Sequence, residues 1–141
     1  EVDVVLGQEN MFSQIFVRIE DTRDKITALI VGRVPSKKHK IKLRKLAERG
    51  VDIKLVVTQY DSEVREDYRS LSEIASIRYY DSKPDYAILV KDDETAMINV
   101  LNPEKDEDRI SIFFEVEGLS KALQDYLDDV WHEAVPLDQV T

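Results

Sequence analysis

Cysteine is absent from this 141-residue sequence. Its absence excludes disulfides, thiolate nucleophiles and zinc sites of the cysteine type. It also fits a reducing cytoplasm, which is the expected location. No apolar run approaches the ~20 residues that a membrane-spanning helix needs, so no membrane partner is expected. The opening residues EVDVVLGQEN carry no basic segment of the kind that begins a signal peptide. They also lack an initiator Met, and the expectation is a single domain, 1–141, cut from a longer chain. There is no internal repeat and no low-complexity linker. Histidine is nearly missing too: His39 and His132 are the only two. Lys91-Asp92-Asp93-Glu94 lacks an EF-hand pattern. Neither metal nor cofactor is expected.

What is present is charge, 35% of residues, with a net of −9. An acidic chain is not built to hold phosphate backbones over its whole surface. One stretch runs the other way. PSKKHKIKLRKLAERG holds seven cations against Glu48 alone, a local net of +6. Leu43, Leu46, Ala47 and His39 share one face of a helix there. Lys38, Lys42, Lys45 and Arg49 line one flank, and Lys37, Lys40 and Arg44 the other.

The pattern alternates. VDVVL (2–6) reads as a strand; Phe12, Ile15, Phe16 and Ile19 then fall at i, i+3, i+4, i+7, a buried helix face. KITALIV (25–31) is a strand, and Pro35-Ser36 opens the basic helix, which Gly50 closes. VDIKLVV (51–57) has so little polar interruption that it reads as a strand covered on both faces. A helix near 62–75, the short strand SIRYY, and a hairpin from YAILV and TAMINV around Asp92-Asp93 follow. NPEKDEDR is a polar loop, ISIFFEV a last strand. Leu119, Ala122, Leu123, Tyr126, Leu127, Val130, Trp131 and Ala134 mark the closing helix. The fold class expected is α/β: a mixed, mostly parallel sheet sandwiched by helices.

In order, LGQENMFSQIFVRIEDTRDKI, LRKLAERGVDIKLV, PDYAILVKDDETAMINV and LQDYLDDVWHEAV resemble the phospholipase D-like domain. More narrowly they resemble the C-terminal, effector-binding half of TrmB-type archaeal transcriptional regulators. The resemblance implies a dimer whose DNA is held by an N-terminal winged helix-turn-helix, a part this chain does not contain. Active phospholipases D carry His-x-Lys-x-x-x-x-Asp, where His forms a phospho-intermediate and Lys neutralises phosphate. Setting the acidic position at Lys91 or Asp92 puts Pro84 or Asp85 at the nucleophile, and Tyr86 or Ala87 at the Lys. Neither register supplies the chemistry, so no catalytic residue is assigned. A ligand-sensing and dimerising regulator domain is the leading reading; a non-catalytic docking module for a protein or membrane is the alternative.

Two groups are candidates for a small-molecule effector, a sugar or an anion. Arg33, Ser36, Lys37 and Lys38 stand where a strand turns into a helix, and free N–H groups plus cations there suit phosphate, sulfate or carboxylate. The ordinary reading is a solvated helix side whose cations snorkel around a leucine stripe. Tyr79, Tyr80, Lys83 and Asp85 could line a polar pocket by stacking and hydrogen bonding. Their ordinary reading is a strand end with one Tyr facing each way. Direct DNA contact by the basic helix is a third option, without helix-turn-helix or RNP features to support it.

Overall fold

In the computed structural model, residues 1–32, 35–100, 105 and 109–140 are described. The order is β1 (Val2–Leu6), α1 (Gln8–Ile19), β2 (Lys25–Ile30), α2 (Lys37–Glu48), β3 (Asp52–Val57), α3 (Arg65–Leu71) and β4 (Ser76–Tyr79). Then come β5 (Tyr86–Lys91), β6 (Thr95–Val100), β7 (Ile110–Phe114), α4 (Glu117–Glu133) and β8 (Val135–Pro136), with a 3₁₀ turn at Leu137–Gln139. All eight strands form one sheet, ordered β1-β7-β6-β5-β2-β3-β4-β8.

The mixed sheet and its helical layers agree with expectation, but its balance needs correction. Among the described residues, only β2–β3 and β3–β4 pair parallel, and the other five pairings are antiparallel. The physical reason is topological. Helical crossovers by α2 and α3 impose parallel neighbours, whereas α1 joins β1 and β2, which lie four strands apart in the sheet. β5 meets β2 antiparallel, and its hairpin partner β6 and then β7 extend the sheet outward to β1.

The two sheet faces bury different cores. One row, Phe113–Met97–Leu89–Ala28–Leu55–Ile77, crosses six strands in register. It packs beneath Met11 and Ile15 of α1, Leu43 and Leu46 of α2, and Tyr68 and Leu71 of α3. On the other face Leu29, Val56, Ile88 and Val90 meet Leu127, Val130 and Trp131 of α4. Trp131 is core, as its helical stripe requires. Arg78 lies 4.4 Å from its ring centroid and donates to its carbonyl oxygen.

The closing helix is rotated from the expected stripe. Ser120 and Gln124 are buried, while Leu119 is exposed. The polar pair has partners to meet: Ser120 Oγ donates to Glu94 O, and Gln124 Nε2 to Thr27 Oγ1. Among the described residues, no helix is long and apolar enough to cross a membrane.

Candidate functional site

The parallel strands β2, β3 and β4 end on the same side of the sheet as β5 begins, because β5 runs antiparallel to β2 with Leu29 opposite Ile88. The N-termini of α1 and α2 lie at that end as well, following the C-terminal ends of β1 and β2. Both candidate groups therefore collect there, but not at one point.

Ser36 caps α2, its hydroxyl oxygen accepting the His39 N–H at 3.4 Å. Ser36 and Lys37 line a shallow groove with Lys40, Arg44, Asp67 and Ser70. Two of its cations are already engaged: Lys40 Nζ lies 3.1 Å from Asp67, and Arg44 3.9 Å from Glu73. Lys38 is exposed, and Arg33 lies outside the described residues. The two flanks of the basic helix therefore differ. The Lys40–Arg44 flank faces α3, while Lys42 sits over the Phe16 ring and Arg49 donates to the Glu20 and Thr22 carbonyls.

Tyr79 and Tyr80 face opposite sides of the sheet. Tyr80 joins the α4 core and reaches Glu133, while Tyr79 turns its hydroxyl to Asp81. Lys83 and Asp85 are exposed in the connection to β5. Among the described residues, the groove beside Ser36 is lined by none of Tyr79, Tyr80, Lys83 or Asp85.

The positions that would carry phosphodiesterase chemistry have other tasks. Tyr86 hydrogen-bonds through its hydroxyl to Tyr126 of α4, and burial is the first cause raising the Tyr126 hydroxyl above its ordinary value. Ala87 points to the opposite face. Lys91, in one register the acidic position, is buried and binds Arg18 O and the Asp21 carboxylate. Asp92, the acidic position in the other register, braces the chain. Its carboxylate accepts the backbone N–H groups of Arg23, Asp24 and Lys25, each at 2.9 Å. Burial alone would raise the Asp92 carboxyl; the three N–H donors and Lys91 outweigh it and hold the group below the ordinary 3.8. With Asp92 at φ 53° and Asp93 at φ 58°, the pair forms the expected hairpin turn. Among the described residues, no cluster of three His, Asp or Glu could hold a metal.

One feature of this end escaped the sequence reading. The β2–β5 ladder ends at Leu29–Ile88, so Ile30 and Ala87 are left unpaired across it. A mostly apolar cavity of about 140 Å³ lies there between α1, α2 and the sheet. Phe12, Phe16 and His39 form part of its wall, the imidazole stacked 4.3 Å from the Phe16 centroid. Burial, then the charges of Lys38 and Lys42, push the His39 pKa below its ordinary 6.5. Asn99 lies in the lining, 1% exposed; its Nδ2 donates to Ser111 Oγ, and its Oδ1 has no partner. The signal for it was Asn99 itself, a polar residue at an inward position of the apolar run TAMINV.

No protein-family model and no curated protein matches the sequence. Solved structures do. TrmBL2, an archaeal chromatin protein with a novel mode of DNA binding, superposes with a TM-score of 0.77 at 16% identity, over 96% of this chain and 54% of that one. The chain thus spans about half the length of TrmBL2. Nuc from Salmonella typhimurium, a phospholipase D family member, gives 0.75 at 15% identity, over 96% of this chain and 98% of that one. NucT from Helicobacter pylori gives 0.77 at 8% identity, with the same coverages. This chain has the phospholipase D-like fold.

Proposed function

We propose that this chain is the ligand-sensing and dimerisation domain of a TrmB-type transcription regulator and has no phosphodiesterase activity. The observation that carries the reading is the start of β5. In both registers the nucleophile and phosphate-neutralising positions hold Pro84 and Tyr86, or Asp85 and Ala87. Tyr86 is tied to Tyr126, and Asp92 is occupied as a structural brace. A His at the first position is what the covalent mechanism needs. The likeness to about half of TrmBL2 supports the regulator side. DNA would be held by a domain outside these residues, in keeping with the chain's charge of −9.

The effector acts by linkage. A molecule that binds one dimer arrangement more tightly than another shifts their ratio by that difference in affinity, and no more. An anion or sugar at Ser36, Lys37 and Lys38 would use the exposed cations at the α2 N-terminus.

The dimer itself would form on the outer strands. Val2, Val4 and Leu6 of β1, Ile110 of β7 and Val100 of β6 share one sheet face and are exposed, Val4 and Leu6 at 63% each. Val116, which precedes α4, and Leu119 in its first turn are exposed as well. The named side chains carry no charge, so two acidic copies can meet there without the repulsion their net charges impose elsewhere. A second copy is therefore the assigned occupant.

The test is sedimentation of the chain alone and with sugars, sugar phosphates and simple anions. A dimer whose dissociation constant shifts with one of these ligands supports the reading. A monomer, alone and with every ligand, overturns it; capture of a different protein by the same face would favour the docking role instead.

A further inference from the structure

The cavity under α1 and α2 deepens the sensing reading, because its size and lining point to a ligand class. The regulatory consequence rests on that reading; the binding does not. We propose that this cavity binds one phenol-sized, mainly apolar molecule whose single hydrogen-bond donor meets Asn99 Oδ1.

Size comes first. The volume, about 140 Å³, is close to that of an engineered apolar cavity of ~150 Å³ that stays dry and binds benzene. A ring of six carbons with one substituent is the matching scale. Chemistry comes second. Met11, Phe12, Ile15, Phe16 and Leu89 supply apolar wall, and Gln8, His39, Asn99 and Arg109 are the polar or charged residues of the lining.

Polarity comes third. A buried amide oxygen without a partner carries a desolvation penalty of the order of a lost hydrogen bond. Asn99 cannot turn away from the sheet, because its Nδ2 is engaged by Ser111 Oγ, itself fully buried in the adjacent strand. The oxygen is thus a fixed acceptor, and it selects a ligand with an O–H or N–H donor over the hydrocarbon of the same shape. Burial and the charges of Lys38 and Lys42 lower the His39 pKa and favour the neutral imidazole in the wall. The architecture supplies the consequence: the wall is shared by Phe12 and Phe16 of α1 and His39 and Leu43 of α2. A ligand between them ties together two helices that follow separate strands.

The experiment compares phenol and toluene by calorimetry and by backbone NMR shifts on the 141-residue chain. One variant is Asn99→Leu combined with Ser111→Ala, which removes both polar partners together and so leaves neither orphaned. The other is Ala87→Phe, which fills the space from a half-exposed position. Trp131 fluorescence verifies folding. We expect wild type to bind phenol with shifts centred on α1, α2 and the β5–β6 end. The phenol-to-toluene affinity ratio should fall about fivefold or more in the double variant, the scale of one net hydrogen bond. Ala87→Phe should bind neither. Absence of phenol binding to wild type, a ratio unchanged in the double variant, or undiminished binding to a folded Ala87→Phe overturns the proposal. Should Ala87→Phe not fold, the double variant decides alone. Phenol binding that leaves the dimer equilibrium unmoved supports the cavity site and counts against the sensing reading. No binding, with the dimer responsive to an anion, overturns the cavity site and leaves that reading intact.

Discussion

Replacing Asp92 by Ala removes the acceptor of three backbone N–H groups in one step. Arg23 and Asp24 belong to the turn between α1 and β2 and Lys25 opens β2, so Asp92 fastens the β5–β6 hairpin to the start of the central strand. Hydrogen bonds to a charged acceptor contribute ~1.5–3 kcal/mol each. The Arg23 and Asp24 donors are at the surface, where water replaces most of that; the Lys25 donor is partly buried and keeps more. About 2 kcal/mol is the resulting estimate for the carboxylate. Backbone conformation adds a second part. Asp92 sits at φ 53°, where a residue other than Gly, Asn or Asp costs ~1–2 kcal/mol. Asp92→Ala should therefore lose about 3 kcal/mol. Asp92→Gly, free of the backbone cost, should lose roughly 1–2 kcal/mol less than Ala. Asp92→Asn keeps one oxygen and tolerates the conformation, so it should lose least. Urea denaturation followed by Trp131, the one tryptophan, measures the order. The pH dependence has a defined sign. Because the folded carboxyl titrates below 3.8, the unfolded chain binds more protons near that pH, and the contribution is complete above it. The gap between wild type and Asp92→Asn should be flat at neutral pH and close as pH falls through the folded-state value. Ala and Gly variants of equal stability, or a gap that persists into acid, would refute this account.

Four other outcomes follow from the structure. His39 titrates below 6.5 in the folded chain; its contribution is complete above 6.5 and is lost as pH falls through the lower folded value. His39→Gln should flatten the stability curve across that window, and equal slopes would show that His39 is not the titrating group. Leu127→Ala, at a fully buried position, should cost ~2–5 kcal/mol, and Leu119→Ala on the exposed stripe well under half of that, both by urea denaturation. Val4→Asp with Leu6→Asp should leave the monomer folded but abolish self-association in sedimentation. Lys37→Ala with Lys38→Ala should weaken any anion that shifts the dimer, and titration calorimetry matching wild type would remove the α2 N-terminus as its seat.

The alternation of elements was legible because local rules and tertiary packing agree. VDIKLVV became a strand buried on both faces, and Gly50, at φ 91°, closed the basic helix. Ser36 as a cap and the Asp92-Asp93 turn were equally local. Strand order was not local: pairing of β1 with β7 at one edge depends on contacts more than 100 residues apart. The α4 face was misjudged for a related reason. Leu119 and Ala122 fit the apolar spacing, but Ser120 and Gln124 won the interior because Glu94 O and Thr27 Oγ1 were waiting beneath. The split of Tyr79 and Tyr80 was readable from strand alternation alone. The cavity was not, since it arises where two antiparallel neighbours separate beyond Leu29–Ile88 under helices from elsewhere.

The central claim is that a phospholipase D-like fold here binds and assembles without cleaving phosphodiesters. The measurement that tests it most directly is hydrolysis of bis(p-nitrophenyl) phosphate by wild type, Asp85→Ala and Lys83→Ala, with intact-mass detection of a phosphorylated protein. The account predicts no turnover above buffer in any of the three and no phosphoryl adduct. Turnover by wild type that Asp85→Ala or Lys83→Ala abolishes, or a phosphoryl group on the protein, would contradict it.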